Sequence, residues 1–295
     1  MSPAPPGPSR LLPVLALVFN AFTWGLSWWP FRQLEQRGLH PLWVTAMIYL
    51  LAVAVLLLAR PRSLLEVLRT PALWVLVVAS GTTNASFNWG VTVGDVVRVV
   101  LLFYLMPLWA VLLARPLLGE RIRARALLRV VLALAGAGVV LWPAHGRLSL
   151  ALSGADMLAL LGGFSFALNN VMLRREARRS EPARALAMFC GGAVVSLVIA
   201  LLLTQAGQAS APAAPSAGVV AAVAGLAAWF LASNLALQFG AARLAANTTA
   251  VVMITEVFFA SGSAIALGAG QLGWQTALGG ALIVSAAALA AWQGD

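Results

Sequence analysis

Along this chain polar residues are punctuation between long apolar runs. Runs of about 20 residues recur near 11–31, 42–59, 72–91, 96–114, 126–143, 154–173, 184–204, 217–240, 245–267 and 272–292. As a helix, each is long enough to cross a hydrocarbon core of roughly 30 Å. The runs are continuously apolar rather than alternating, which predicts helices and excludes a spanning barrel. The pattern therefore predicts an all-α polytopic membrane protein with ten transmembrane helices. Between the second and third runs, Ser63 to Thr70 carries Leu64, Leu65, Val67 and Leu68. That spacing predicts a short helix lying in the membrane interface. Residues 1–10 are Pro-rich and predicted to be a disordered cytoplasmic terminus. With no convincing cleavage site after it, the first run is read as a retained span.

The second half repeats the first. Asn84-Ala85-Ser86-Phe87-Asn88-Trp89-Gly90 falls, at a shift of 150, on Asn234-Leu235-Ala236-Leu237-Gln238-Phe239-Gly240. At the same shift, Arg129 to Gly136 falls on Gly279 to Ala286, both Gly/Ala-rich. For the first pair of helices the shift is about 142, so loop lengths differ between the halves. The predicted units are residues 11–143 and 154–292, joined by an external loop at 144–153, with an uncharged, low-complexity external linker at 205–218. Five spans per half turn the second repeat over relative to the first. The expected pseudo-two-fold axis lies in the membrane plane, and secondary transporters place their substrate site between such repeats.

Composition and charge agree with this reading. The chain is 61% hydrophobic and 9% charged, outside the range of soluble proteins. Its net charge of +10 comes from arginine alone, without a single lysine. With the N-terminus inside, Arg32, Arg37, Arg98 and Arg147 fall outside and the other fifteen arginines inside. The positive-inside rule then places both termini in the cytoplasm, and basicity reports topology rather than a nucleic-acid partner. Cys190 is alone, so a disulfide within the chain is excluded. Neither His40 nor His145 has a metal-ligand spacing, and no nucleotide-binding or nucleophile–base motif occurs. No enzyme activity, cofactor or metal is expected.

A few polar and aromatic positions inside the apolar runs are candidates for a substrate site. Asn20, Trp24 and Trp28 form an i, i+4, i+8 stripe, and Phe166 and Asn170 correspond to Trp24 and Trp28 in the sixth run. Such a stripe suits a flat ring with a polar end, although Trp28 and Trp29 beside Pro30 also suit an interfacial belt. Asn84 with Asn88, and Asn234 with Gln238, each share a helix face. Facing each other across a cavity, the two pairs suit a zwitterion; the other reading is that they bind neighbouring helices together. Glu256 is the acid expected near mid-bilayer, to bind an ammonium, to cycle a proton, or to sit hydrogen-bonded to Thr255, Ser261 or an amide. Pro107, inside the fourth run, is a candidate hinge or a static kink. Asp95 is expected to cap the fourth helix, with Arg98 as its surface partner or as a group that greets a substrate carboxylate.

These residues also resemble a known family. Trp24-Gly25 and Phe166-Ala167 resemble paired marks of the EamA type of the drug/metabolite transporter superfamily. Tyr104-Leu105-Met106-Pro107, with Leu118-Gly119-Glu120-Arg121 and its glutamate thirteen residues after the proline, resembles that type's fourth-helix pattern. The Tyr-Leu-x-Pro form is similar to the YddG group of aromatic amino-acid exporters. The second half departs from the pattern, with Val257 for the proline and Gly270 for the glutamate. The resemblance implies two inverted five-helix repeats in a bacterial inner membrane. It implies a cavity lined by the first, third, fourth, sixth, eighth and ninth helices, a role for Tyr104, and export of a small metabolite such as an aromatic amino acid. A broad exporter of hydrophobic compounds and a non-transporting scaffold stay open. One chain carries both repeats, so a monomer is the expected working unit.

Overall fold

The computed structural model describes residues 11–119, 124–141, 152–212, 216–241, 252–253, 255–270 and 273–292. The described residues form helices joined by short turns. In chain order these are α1 (Leu11–Leu26), α2 (Trp28–Glu35), α3 (Pro41–Ala59), α4 (Arg62–Arg69), α5 (Pro71–Val93), α6 (Val96–Phe103) and α7 (Met106–Leu118). There follow α8 (Ala124–Leu141), α9 (Gly154–Arg175), α10 (Glu181–Gln205), α11 (Ala217–Ala241), α12 (Thr255–Ala266) and α13 (Trp274–Trp292). Among the described residues, six segments are long and apolar enough to cross a membrane: Leu11–Glu35, Pro41–Ala59, Val96–Leu118, Gly154–Arg175, Glu181–Gln205 and Ala217–Leu237. The pair α4 and α5, which meet at 99°, brings the number to seven when the two are counted as one broken span. The expected disordered terminus, and Glu120 with Arg121, lie outside the described residues.

Polar residues are buried along with the apolar core while large apolar side chains face outward. On α5, Ser80, Thr83, Asn84, Ser86, Asn88 and Thr92 are buried while Trp74, Val75 and Val78 are exposed. In lipid the apolar face needs no cover, so small and polar residues mediate helix contact instead. Gly81 of α5 and Gly191 of α10 meet so closely that a Cβ on either would overlap backbone of the other helix. Gly136 of α8 packs in the same way on Gly279 and Ile283 of α13, and Gly25 of α1 on Phe259 and Ala260 of α12.

Two spans are broken, each for a local reason. Pro30 lacks the N–H that would bond the Leu26 carbonyl, and α1 gives way to α2 at Ser27, whose hydroxyl donates to Trp24 O at 2.8 Å. The first span thus continues to Glu35, beyond the residue 31 expected from the sequence. Pro107 stands in the first turn of α7, and the fourth span opens immediately before it at Tyr104 and Leu105. The Phe103 carbonyl, which a residue with an N–H at 107 would bond, faces Gly163 of α9 and leaves no room there for a Cβ.

The two ends of the bundle differ. At one end α4 meets the start of α10, where Ser180 donates to Glu66 through its N–H (3.1 Å) and its hydroxyl (2.6 Å). This brings the arginine-rich segments 60–69 and 174–184 to the same end. At the other end lie Arg32, Arg98, Asp95 and Asp156. His40, half-buried before α3, accepts the Leu42 N–H on Nδ1 at 3.2 Å. Burial pushes its pKa below the usual histidine value, which keeps the ring neutral and that acceptor free.

Candidate functional site: an aromatic row flanked by amides and one buried acid

Five helices send aromatic rings to the middle of the bundle. The Trp24 ring lies 4.9 Å from Phe230 and 5.9 Å from Phe87, both edge to face. Phe87 lies 4.9 Å from Phe103, and Phe103 lies 5.4 Å from Phe166. The row Phe230–Trp24–Phe87–Phe103–Phe166 therefore joins α11, α1, α5, α6 and α9, with Trp24 and Phe166 linked through Phe87 and Phe103. Trp24 and Phe166 are only half-buried, which leaves ring surface for a planar guest. Trp28 is buried and donates its indole N–H to Ser263 Oγ at 3.0 Å, whereas Trp29 is 49% exposed. Of that pair only Trp29 suits an interfacial belt.

The amides are used first on neighbouring helices. Asn20 Nδ2 donates to Ser233 Oγ (2.7 Å) and Ser233 O (3.0 Å), tying α1 to α11 beside Asn234. Asn84 accepts the Tyr49 hydroxyl and donates to Ser80 O at 2.8 Å. Asn88 donates to Thr45 Oγ1 at 3.1 Å, so both α5 amides turn to α3. Asn234 donates to Phe230 O, one turn back in its own helix, at 2.9 Å. The Gln238 side chain lies outside the described residues. Asn170 is exposed, and its neighbour Asn169 is buried. Among the described residues, Asn20 Oδ1, Asn88 Oδ1 and Asn169 Oδ1 have no hydrogen-bond partner. Three buried carbonyl oxygens in that state are acceptors ready for a donor such as an ammonium.

Tyr104 and Glu256 meet across the bundle. Tyr104 sits at the break in the fourth span, fully buried, with its hydroxyl 3.0 Å from Glu256 Oε2 and 3.0 Å from Met253 O. Glu256 opens α12 and is 6% exposed. The opening of the helix between Phe103 and Met106 frees the Tyr104 side chain to reach α12. The sequence marks both residues as candidates, and the pairing between them is a finding of the fold.

Charges whose partners the sequence does not reveal cluster at the opposite end from α4. The Asp95 cap is present, with its Oδ1 accepting the Arg98 N–H at 2.9 Å. The Arg98 guanidinium also grips Asp156 of α9 in a two-point fork, Nε to Oδ1 at 2.7 Å and the terminal nitrogen to Oδ2 at 3.0 Å. Asp156 and Ser153 form a capping box at the start of α9. Arg32 donates to Thr92 O at 2.9 Å and to Gly94 O, closing the C-terminus of α5, and stacks over Trp28 at 5.2 Å. Of these contacts, the two caps and the Arg32–Trp28 stack, four residues apart, are local enough for a sequence pattern to signal them. The Arg98 side chain is 33% exposed, so the fork is partly screened. A double-mutant cycle of Arg98→Gln and Asp156→Asn, read by unfolding in detergent, is expected to give about 1–2 kcal/mol of coupling.

Comparisons with known proteins fit this architecture. Residues 11–142 match the model of the EamA-like transporter family, a likeness that covers a little under half of the chain. One solved structure, titled only "Crystal structure of protein", aligns with 97% of this chain and 98% of its own at a TM-score of 0.56 and 20% identity. At that identity the likeness is one of fold. No curated protein matches the sequence.

Proposed function

We propose that the chain is a secondary transporter exporting aromatic amino acids, or compact ring-bearing metabolites like them, across an inner membrane by alternating access. The observation that carries this reading is the aromatic row from five helices, flanked by buried amides and by the Tyr104–Glu256 pair. Ring surface on Trp24 and Phe166 supplies stacking, and the buried amide oxygens with Glu256 supply acceptors for an ammonium group. The proposed site comprises Asn20, Trp24, Asn84, Asn88, Tyr104, Phe166, Asn170, Asn234, Gln238 and Glu256, with Pro107 as hinge.

The proposed frame is ten spans in two inverted repeats, both termini on the arginine-rich side, working as a monomer. Its support is that helix contacts survive an exchange of the halves. α5 packs on α9 as α11 packs on α1, and α6 with α7 packs on α9 as α12 packs on α1. α3 packs on α10, and α8 on α13, each on its own counterpart. Gly136 meets Gly279 and Ile283, inside the stretch that the repeat matches to 129–136. Rocking of one set against the other about a fixed site follows the usual logic of such repeats.

The test is counterflow of labelled phenylalanine, tyrosine and tryptophan in liposomes containing only this protein. Saturable exchange is expected, and Trp24→Ala is expected to reduce it about tenfold, the equivalent of one lost aromatic contact. Exchange no greater than in empty liposomes would sink the proposal. Glu256 among rings also suits a hydrophobic cation, the cargo of a broad exporter. Inhibition by such cations without competition from amino acids would favour that second reading.

A further inference from the structure

We propose that the surface around α4 is a binding site for the headgroup of an anionic phospholipid. The site is separate from the transport site and independent of what the protein carries. α4 turns through 99° from α5, so with α5 spanning the bilayer it lies along the membrane surface. Leu64, Leu65 and Leu68 are 38%, 53% and 52% exposed, while Val67 and Ser63 are buried against the protein. An amphipathic helix in this position sinks its leucines into the acyl boundary and holds its cations at headgroup level.

The cations are in place. Arg60, Arg62 and Arg69 are all exposed at the two ends of α4. A cavity of about 290 Å³ opens beside Arg60 and Arg62 at the start of α4, lined also by Ser63, Glu66, Ser180 and Pro182. Glu66, the one acid on that wall, is occupied by the two hydrogen bonds from Ser180. Arg60 and Arg62 therefore line the opening beside an acid already engaged by Ser180, an arrangement suited to a phosphodiester. A soluble anion has no use for the exposed leucine row, and a protein partner has no reason to lie in the plane of the bilayer. A lipid uses both the charge and the leucines. The leaflet is the one at the arginine-rich end, where anionic lipids attract basic segments.

The experiment purifies the full chain in mixed micelles of phosphatidylglycerol and phosphatidylcholine and measures the retained lipid by native mass spectrometry. Phosphatidylglycerol is expected to be enriched, and each arginine removed is expected to lower the enrichment about fivefold. The Arg60→Gln/Arg62→Gln variant should approach parity, while Arg60→Lys/Arg62→Lys, which keeps the charge, retains most of the preference. Arg37→Gln, exposed at the other end, should leave the ratio unchanged. All these positions are exposed, and a monodisperse elution profile confirms that each variant is folded. Equal retention of the two lipids by the unsubstituted protein, or an Arg37→Gln loss as large as that of the α4 variant, overturns the proposal. Displacement of the lipid by inorganic phosphate would make this a soluble-anion site and overturn it as well.

Discussion

Gly191→Val is expected to prevent the bundle from assembling, and Gly191→Ala to destabilise it by about 1–3 kcal/mol, the usual cost of overpacking a tight contact. A Cβ at 191 falls on the backbone of Val77 and Gly81, and a Cβ at 81 falls on the backbone of Gly191. Neither neighbour is the end of a flexible side chain, so the helices themselves must separate. Separation has consequences beyond the crossing. Gly192, the next residue, lies against the Tyr49 ring, and Tyr49 donates to Asn84 of α5. Moving α10 therefore disturbs both the α3 contact and a buried amide. Thermal unfolding in detergent, followed by size-exclusion elution, measures the effect. Gly225→Ala in α11, where an added Cβ meets nothing within 4 Å, is the control and should lose no stability. Equal behaviour of Gly191→Ala and Gly225→Ala would refute the argument.

Much of this architecture is legible in the sequence because lipid makes polar residues conspicuous. An asparagine or glutamate in an apolar helix has few reasons to be there, so Asn20, Asn84, Asn88 and Glu256 stand out from the residue pattern alone. The proline rule likewise places the opening of the fourth span beside Pro107. Partner identity is what the sequence withholds. The four-residue spacing of Asn84 and Asn88 says that they share a face, but not that the face turns to α3, where Tyr49 and Thr45 wait. One residue is 100° of helix rotation, which is why the buried residue of the Asn169–Asn170 pair is the first and not the one chosen by the repeat. The Arg98–Asp156 fork joins residues 58 apart, a separation that no local pattern encodes. The first span runs on to Glu35 because Arg32, a poor membrane residue by composition, finds carbonyl oxygens at the end of α5.

The same reasoning sets the largest expected effect on transport, at Tyr104 and Glu256. The Tyr104 hydroxyl has one proton and two oxygen neighbours at 3.0 Å, the Met253 carbonyl and Glu256 Oε2. Both contacts are hydrogen bonds at once only when the carboxyl carries a proton and donates it to the phenol oxygen. When the carboxyl is ionised, the hydroxyl turns to it and the carbonyl loses its donor. Glu256→Gln keeps the full set of bonds, since the amide N–H donates where the acid did. It should therefore fold normally and retain substrate exchange, while losing any dependence of transport on pH that this carboxyl confers. Tyr104→Phe deletes the shared hydroxyl and takes the Tyr104 hydrogen bond from Glu256 in a buried site. Losing a buried bond to a carboxyl costs about 1.5–3 kcal/mol, or roughly ten- to a hundredfold in exchange rate if the loss falls on the transport barrier. Counterflow at several pH values, with Glu256→Gln and Tyr104→Phe beside the unsubstituted protein, reads all of these outcomes. A pH profile unchanged in Glu256→Gln eliminates proton coupling through this residue. Full activity in Tyr104→Phe removes the pair from the transport cycle and leaves it as a contact between the fourth span and α12.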